Sequence, residues 1–149
     1  MADLLGALHL LNIKIMSNYS IIFPGQGSQS IGMMDTYVNN IIVQDTFAEA
    51  TQVLKKDFWK MVTQDNTDIH LTENTQPIML IAGICIWRIL EKSGIHKPKF
   101  LAGHSLGEFS ALVAAEVLNF QDALVIVSKR AKLMQAAVPE GVGAMAAIL

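Results

Sequence analysis

The order of apolar runs, glycine-rich turns and helical patterns predicts an α/β fold, a parallel sheet flanked by helices and carrying a nucleophile elbow. Three observations lead there. Gly103-His104-Ser105-Leu106-Gly107 is a G-x-S-x-G pentapeptide set between an apolar run and a helical pattern. Tyr19 to Phe23 is a second apolar run, and the glycine-rich Pro24-Gly25-Gln26-Gly27-Ser28-Gln29 follows it. Segments with helical spacing lie between and after these runs, and such alternation favours a parallel sheet covered on both faces. Loops that follow parallel strands gather at the carboxyl end of the sheet, where sites are built.

Each element has its own signal. Tyr19–Phe23 reads as the first strand. Asp45 to Lys56 places Phe47, Ala50, Val53 and Leu54 at helical spacing, with Asp45 suited to cap the start. Lys55 to Thr75 is polar and mixed, with a short helix predicted over Phe58–Val62. Gln76-Pro77 opens a long helix, because proline is tolerated at the first helical position, and Gly94 closes it. Lys99-Phe100-Leu101-Ala102 reads as a buried strand running into Gly103, and Glu108 to Leu118 as the helix leaving the elbow. Asp122 begins a further helix through Ala137, where Pro139 and Gly141 stop it. The apolar Gly143 to Leu149 has the composition of a late strand.

The pentapeptide carries the chemistry. A serine on a sharp strand-to-helix turn is pushed out of the sheet, with its oxygen at the helix N-terminus. Flanking glycines are needed where strand and helix backbones approach. Ser105 is therefore the candidate nucleophile, against the plainer reading of a glycine-rich turn. The loop Pro24–Gln29 is not a Walker A loop, since no Gly-Lys-Ser/Thr follows, and it lacks a complete G-x-G-x-x-G.

Composition narrows the classes. At 149 residues the chain has room for one domain. A 52% hydrophobic and 16% charged content is apolar for a free-standing soluble domain. A net charge of −2 offers no electrostatic footprint for nucleic acid. The single cysteine, Cys85, excludes an internal disulfide, suits a reducing cytoplasm and reads as a buried structural thiol. Ile78 to Trp87 is uncharged but too short to cross a bilayer, so no membrane partner is expected. Residues 1–15 contain a short apolar stretch without a basic flank or cleavage site, and read as an N-terminal extension rather than a signal.

Taken together, Phe23-Pro24-Gly25-Gln26-Gly27-Ser28-Gln29, Asn74-Thr75-Gln76-Pro77, Gly103-His104-Ser105-Leu106-Gly107-Glu108, Arg130 and Val138 to Ala147 resemble the malonyl-CoA:acyl carrier protein transacylase family. The resemblance runs from about Met16 to Leu149. It implies that residues 16–149 are the N-terminal part of an acyltransferase domain. That part is the α/β-hydrolase-like large subdomain, truncated before a small ferredoxin-like one. It further implies malonyl transfer from malonyl-CoA, a substrate rather than a permanently bound cofactor, to the phosphopantetheine thiol of an acyl carrier protein in fatty acid biosynthesis. In the family the residues matching Gln26 and Leu106 supply the backbone N–H groups of an oxyanion hole. The residue matching Arg130 pairs with the free malonyl carboxylate, a task suited to a planar guanidinium. Without the resemblance, Arg130 reads as part of a solvated face with Lys129 and Lys132. No metal is expected.

A serine nucleophile needs a proton acceptor. His104 adjoins Ser105 and is expected to pack under the turn; His70 and His96 fall in polar connections, and His9 in the extension. The family takes its histidine from a later segment, so the chain alone is expected to be inactive. Three readings stand: a malonyl transferase, a truncated non-catalytic remnant that relies on a complementing C-terminal segment, and a serine esterase of α/β-hydrolase type. The loop Pro24–Gln29 replaces the HGGG-type segment expected of the last.

Overall fold

The computed structural model describes residues 18–64, 67–138 and 142–143. The elements in chain order are β1 (Ser20–Phe23), α1 (Ile41–Leu54), α2 (Phe58–Thr63), α3 (Thr72–Lys92), β2 (Phe100–Gly103), α4 (Gly107–Ala114) and α5 (Phe120–Ala137). Two 3-10 turns, Asp35–Tyr37 and Thr67–His70, lie in the connections. The extension 1–15 and most of the expected strand 143–149 lie outside the described residues.

β1 and β2 pair in parallel, with Ser20 opposite Phe100 and Phe23 opposite Gly103. Parallel pairing of strands so far apart in sequence needs a crossover, and α1 to α3 supply it. Side chains alternate across a strand. Phe23, with half-buried Ile21 and Leu101, therefore packs against Trp87 of α3 and Ala111 and Ala114 of α4. The other face was expected to be covered as well. Instead Ile22 is 74% and Phe100 62% exposed, so among the described residues helices cover one face only.

The larger core is helical. Val43, Phe47, Phe58, Val62, Ile69, Ile78, Leu80, Ile81, Ile84, Leu124 and Val127 form one buried cluster that joins α1, α2, α3 and α5. Arg88 of α3 fastens it, donating to Thr46 Oγ1 and Glu49 Oε2, both at 2.9 Å, with its guanidinium 4.8 Å from the Phe120 ring centroid. Gly83 lets α3 approach α4 closely, because a Cβ there would come 3.3 Å from Ser110 Oγ.

Helix starts differ from expectation. α1 begins at Ile41 rather than Asp45, because Asn40 is extended and its side chain accepts from Ile42 N–H at 3.0 Å. The unbroken apolar Ile41-Ile42-Val43 concealed that start. α3 begins at Thr72, four residues before Gln76. Pro77 therefore lies inside the helix, where it withholds a donor from the Glu73 carbonyl. The segment leading in is held by side chains: Thr75 Oγ1 donates to Ile69 O at 2.6 Å and Asn74 Nδ2 to Asp68 O at 2.8 Å. Gly94, at φ 74°, follows the end of α3 as expected. α4 is shorter than expected and stops at Ala114, with Glu116 turning left-handed at φ 60°. α5 starts at Phe120, capped by Asn119, whose Oδ1 accepts from Asp122 N–H at 2.7 Å.

Cys85 is buried, and desolvation pushes its thiol from 9.0 up to about 12, against smaller opposing effects of a Thr46 hydrogen bond and the Arg88 charge. The folded chain thus keeps a proton that the unfolded chain releases near pH 9. The stabilisation is complete below pH 9 and is lost as pH rises from 9 towards 12. We expect Cys85 to resist alkylation at pH 8 until the chain is denatured, and urea midpoints to fall across that alkaline window. Rapid labelling of the folded chain would contradict this placement.

Candidate active site

β2 ends at Gly103 and α4 begins at Gly107, and Ser105 stands between them with φ of 52°. That left-handed conformation costs an L-residue roughly 1–2 kcal/mol. The surroundings impose it. A Cβ on Gly103 would fall 1.9 Å from the carbonyl carbon of Gly107, and a Cβ on Gly107 would fall 2.2 Å from Phe23 O. Backbone crosses backbone at both points, so the turn has no room to relax. Ser105 is left exposed, as a strand–turn–helix elbow requires.

The loop after β1 lies against this elbow. His104 N–H donates to Phe23 O at 3.1 Å, and a Cβ on Gly25 would come 2.9 Å from His104 O. Gly27 has φ of 111° and open space around it. The backbone N–H groups of Gln26 and Leu106 donate to no group among the described residues, whereas Gly27 N–H is taken by Gln29 Oε1 at 2.8 Å. The two candidate oxyanion donors are thus unengaged.

Arg130 reaches the elbow from α5. Its Nη2 donates to Ser105 Oγ at 2.9 Å and its Nη1 to Gln76 Oε1 at 2.6 Å, with Cζ 5.9 Å from the Phe109 ring centroid. The neighbouring Lys129 and Lys132 are exposed, but Arg130 is half-buried, so the solvated-face reading does not describe it. The ion pairs among the described residues are Lys56–Glu73, Arg88–Glu49 and Lys97–Glu116, and none of them includes Arg130. A shallow apolar pocket lined by Ile126, Leu133, Met134 and Ala137 opens beside it.

Gln76 carries contacts that the sequence reading left without a role. It is fully buried at the start of α3, and its Nε2 lies 3.3 Å from Gln26 Oε1 and 3.2 Å from the Met134 sulfur. Gln26 Nε2 in turn donates to Thr72 Oγ1 at 3.1 Å. One polar line therefore runs from Thr72 through Gln26, Gln76 and Arg130 to Ser105. The sequence signal was the Asn74-Thr75-Gln76-Pro77 motif itself, which sets an amide directly ahead of the uncharged run Ile78 to Trp87.

No imidazole joins Ser105 among the described residues. His104 is exposed rather than packed beneath the turn, with its Nδ1 2.8 Å from where a Cβ on Gly25 would stand. His70 is exposed, its Nδ1 3.4 Å from Gln29 Nε2, and the His96 carbonyl accepts from the Tyr19 hydroxyl. Groupings of three or more metal-ligating side chains are absent among the described residues. Among the same residues, no helix is long and apolar enough to cross a membrane.

Residues 20–149 match the family of acyl transferase domains. The chain belongs to that family. Its relatives in the family include the malonyl CoA-acyl carrier protein transacylases of Salmonella typhimurium, 47% identical over 136 residues, and Haemophilus influenzae, 49% identical over 137. Each alignment takes in 90% of this chain and 44% of the relative, so the chain spans less than half the length of the curated relatives it matches. Among solved structures, a malonyl-transacylase in complex with a type II polyketide acyl-carrier protein superposes with a TM-score of 0.80. It is 47% identical, and the match covers 83% of this chain and 41% of that one. An acyl carrier protein S-malonyltransferase from Vibrio cholerae gives 0.79 at 46% identity, over 83% and 41%.

The strain at Ser105 is measurable. Ser105→Gly is expected to raise the stability of the chain by about 1 kcal/mol, because glycine adopts the left-handed conformation freely. Ser105→Val should lower it. Gly107→Ala should cost roughly 4 kcal/mol or more, and Gly27→Ala, with open space around it, roughly 1–3 kcal/mol. Urea denaturation of the four variants gives the order, and an unaffected Gly107→Ala would contradict the crossing.

Proposed function

We propose that this chain carries the acyl-transfer site of a malonyl-CoA:acyl carrier protein transacylase, and that residues 16–149 form the N-terminal part of its domain. The reading rests above all on one contact, a half-buried arginine without a carboxylate partner among the described residues, 2.9 Å from a serine on a strained elbow. A cation beside a nucleophile suits an acyl group that ends in a carboxylate. That carboxylate would offer Arg130 a charge-assisted pair stronger than its bond to the neutral hydroxyl.

In the proposed reaction Ser105 Oγ attacks the thioester carbonyl of malonyl-CoA and gives its proton to a base. The carbonyl oxygen becomes an oxyanion facing the N–H groups of Gln26 and Leu106. Collapse expels the CoA thiolate, which takes up a proton, and leaves malonyl-Ser105. The phosphopantetheine thiol of the carrier protein then attacks this ester, loses its proton to the base and releases Ser105 by the same route. Loss of one oxyanion donor typically costs about 10²–10³ in rate. Malonyl-CoA is a substrate here, with no permanently bound cofactor, and we place the reaction in the cytoplasm, in fatty acid synthesis.

A second reading is favoured by a specific observation: no described histidine bonds to Ser105. On this reading the 149 residues do not turn over alone, and the base comes from a complementing C-terminal segment with the ferredoxin-like subdomain. The esterase alternative is disfavoured by Arg130, since a neutral ester has no use for a cation at the nucleophile.

Labelling tests both readings. With a C-terminal segment supplied, radiolabelled malonyl-CoA should acylate the chain, and Ser105→Ala should abolish the label; undiminished labelling of Ser105→Ala would sink the assignment. The chain alone should label slowly or not at all. Arg130→Ala should lower malonyl transfer far more than acetyl transfer, by a margin of about 10- to 100-fold if a charged hydrogen bond is lost. Equal losses would make Arg130 structural.

A further inference from the structure

We infer that Gln76 is a positioning and specificity residue: its neutral amide holds the Arg130 guanidinium at Ser105 while leaving the positive charge free for an anionic acyl group. This rests on the reading of Arg130 just proposed and extends it to a residue with no role so far. Four observations carry it. Gln76 is fully buried, so its amide must find partners within the protein. Its Oε1 accepts from Arg130 Nη1 at 2.6 Å. Its Nε2 faces two acceptors, Gln26 Oε1 at 3.3 Å and the Met134 sulfur at 3.2 Å. Arg130 has no carboxylate partner among the described residues, unlike Arg88, which pairs with Glu49 at 2.9 Å.

The arrangement needs a side chain that accepts at one end and donates at the other. Of the side chains with this shape, glutamine alone does both without charge. Turning the amide over would aim an NH₂ group at the guanidinium and an oxygen at Gln26 Oε1, so both neighbours select one orientation. Glutamate would hold Arg130 at least as well, but it would neutralise the cation at short range. An incoming carboxylate would then meet a paired arginine and a like charge behind it. Methionine would fill the space with no acceptor, leaving Arg130 charged but unheld. Position and charge can thus be varied separately at one site.

The test is equilibrium dialysis of the 149-residue chain against radiolabelled malonyl-CoA and acetyl-CoA, with circular dichroism melts to establish that each variant folds. The readout is the ratio of the two affinities, which a merely structural role would not move. Wild type should prefer malonyl-CoA by roughly 10- to 100-fold, the range for hydrogen bonds to charged groups. Gln76→Met should lose part of that preference and Gln76→Glu all of it, and the loss should be greater for Glu although Glu restores the acceptor. Gln76→Glu with wild-type preference would overturn the inference, and so would Gln76→Met with wild-type preference. Failure of the underlying reading looks different: wild type would show no preference, or Arg130→Ala would keep it.

Discussion

The Phe23 carbonyl lies where a side chain on Gly107 would begin, and Gly107 lies where a side chain on Gly103 would begin, so β1, the turn and α4 stack in direct backbone contact. Much of the site's geometry follows from this stacking. It forces Ser105 into the left-handed region and out of the sheet. It brings the loop after β1 beside the loop after β2, an alignment that the register of Phe23 with Gly103 repeats. It also leaves Leu106 N–H at the head of α4 without an acceptor among the described residues, since the first intrahelical bonds come from later residues.

On this frame a polar line joins the exposed elbow to the buried Gln76 of α3. Thr72, Gln26, Gln76, Arg130 and Ser105 are linked in turn across two loops and two helices that are remote in sequence. Of the five only Gln76 is fully buried, so its links are the ones most costly to break. Here the accounts close: no buried side-chain nitrogen or oxygen among the described residues lacks a partner. The site is thus held sideways by hydrogen bonds and from below by steric contact. The first orients Arg130, and the second fixes Ser105.

Strands and elbow were legible in the sequence because their signals are local. Two apolar runs, each followed by glycines, mark β1 and β2, and the glycine spacing around Ser105 has one steric explanation. Helix starts were less legible because caps compete. Asp45 was read as the cap of α1, whereas Asn40 caps it and Val43, ahead of Asp45, packs into the core. Pro77 pointed to a helix start, yet Thr75 and Asn74 tie down the preceding turn through side-chain bonds that sequence spacing does not reveal. Arg130 was nominated by resemblance, and its charge pattern alone pointed towards solvent. Gln76 was visible as part of a motif, but its partners, Gln26 and Arg130, lie on other elements and become neighbours only in three dimensions. The exposed face of Ile22 and Phe100 was missed because apolar strands read as buried on both sides.

The pairing of Ser20 with Phe100 also bears on how the chain is assembled. All of α1, α2 and α3 lies between the two strands, so the sheet closes a long loop, whereas much of the helical core forms from nearer neighbours. Loop-closure entropy must be met before the strands gain anything from pairing. The helical cluster is therefore the natural scaffold on which the strands meet late. The elbow depends on that late event, since Gly107 is seated against β1. The strained geometry at Ser105 would then be the last feature acquired on folding and the first lost when the sheet edge loosens, while the helices still report a native signal.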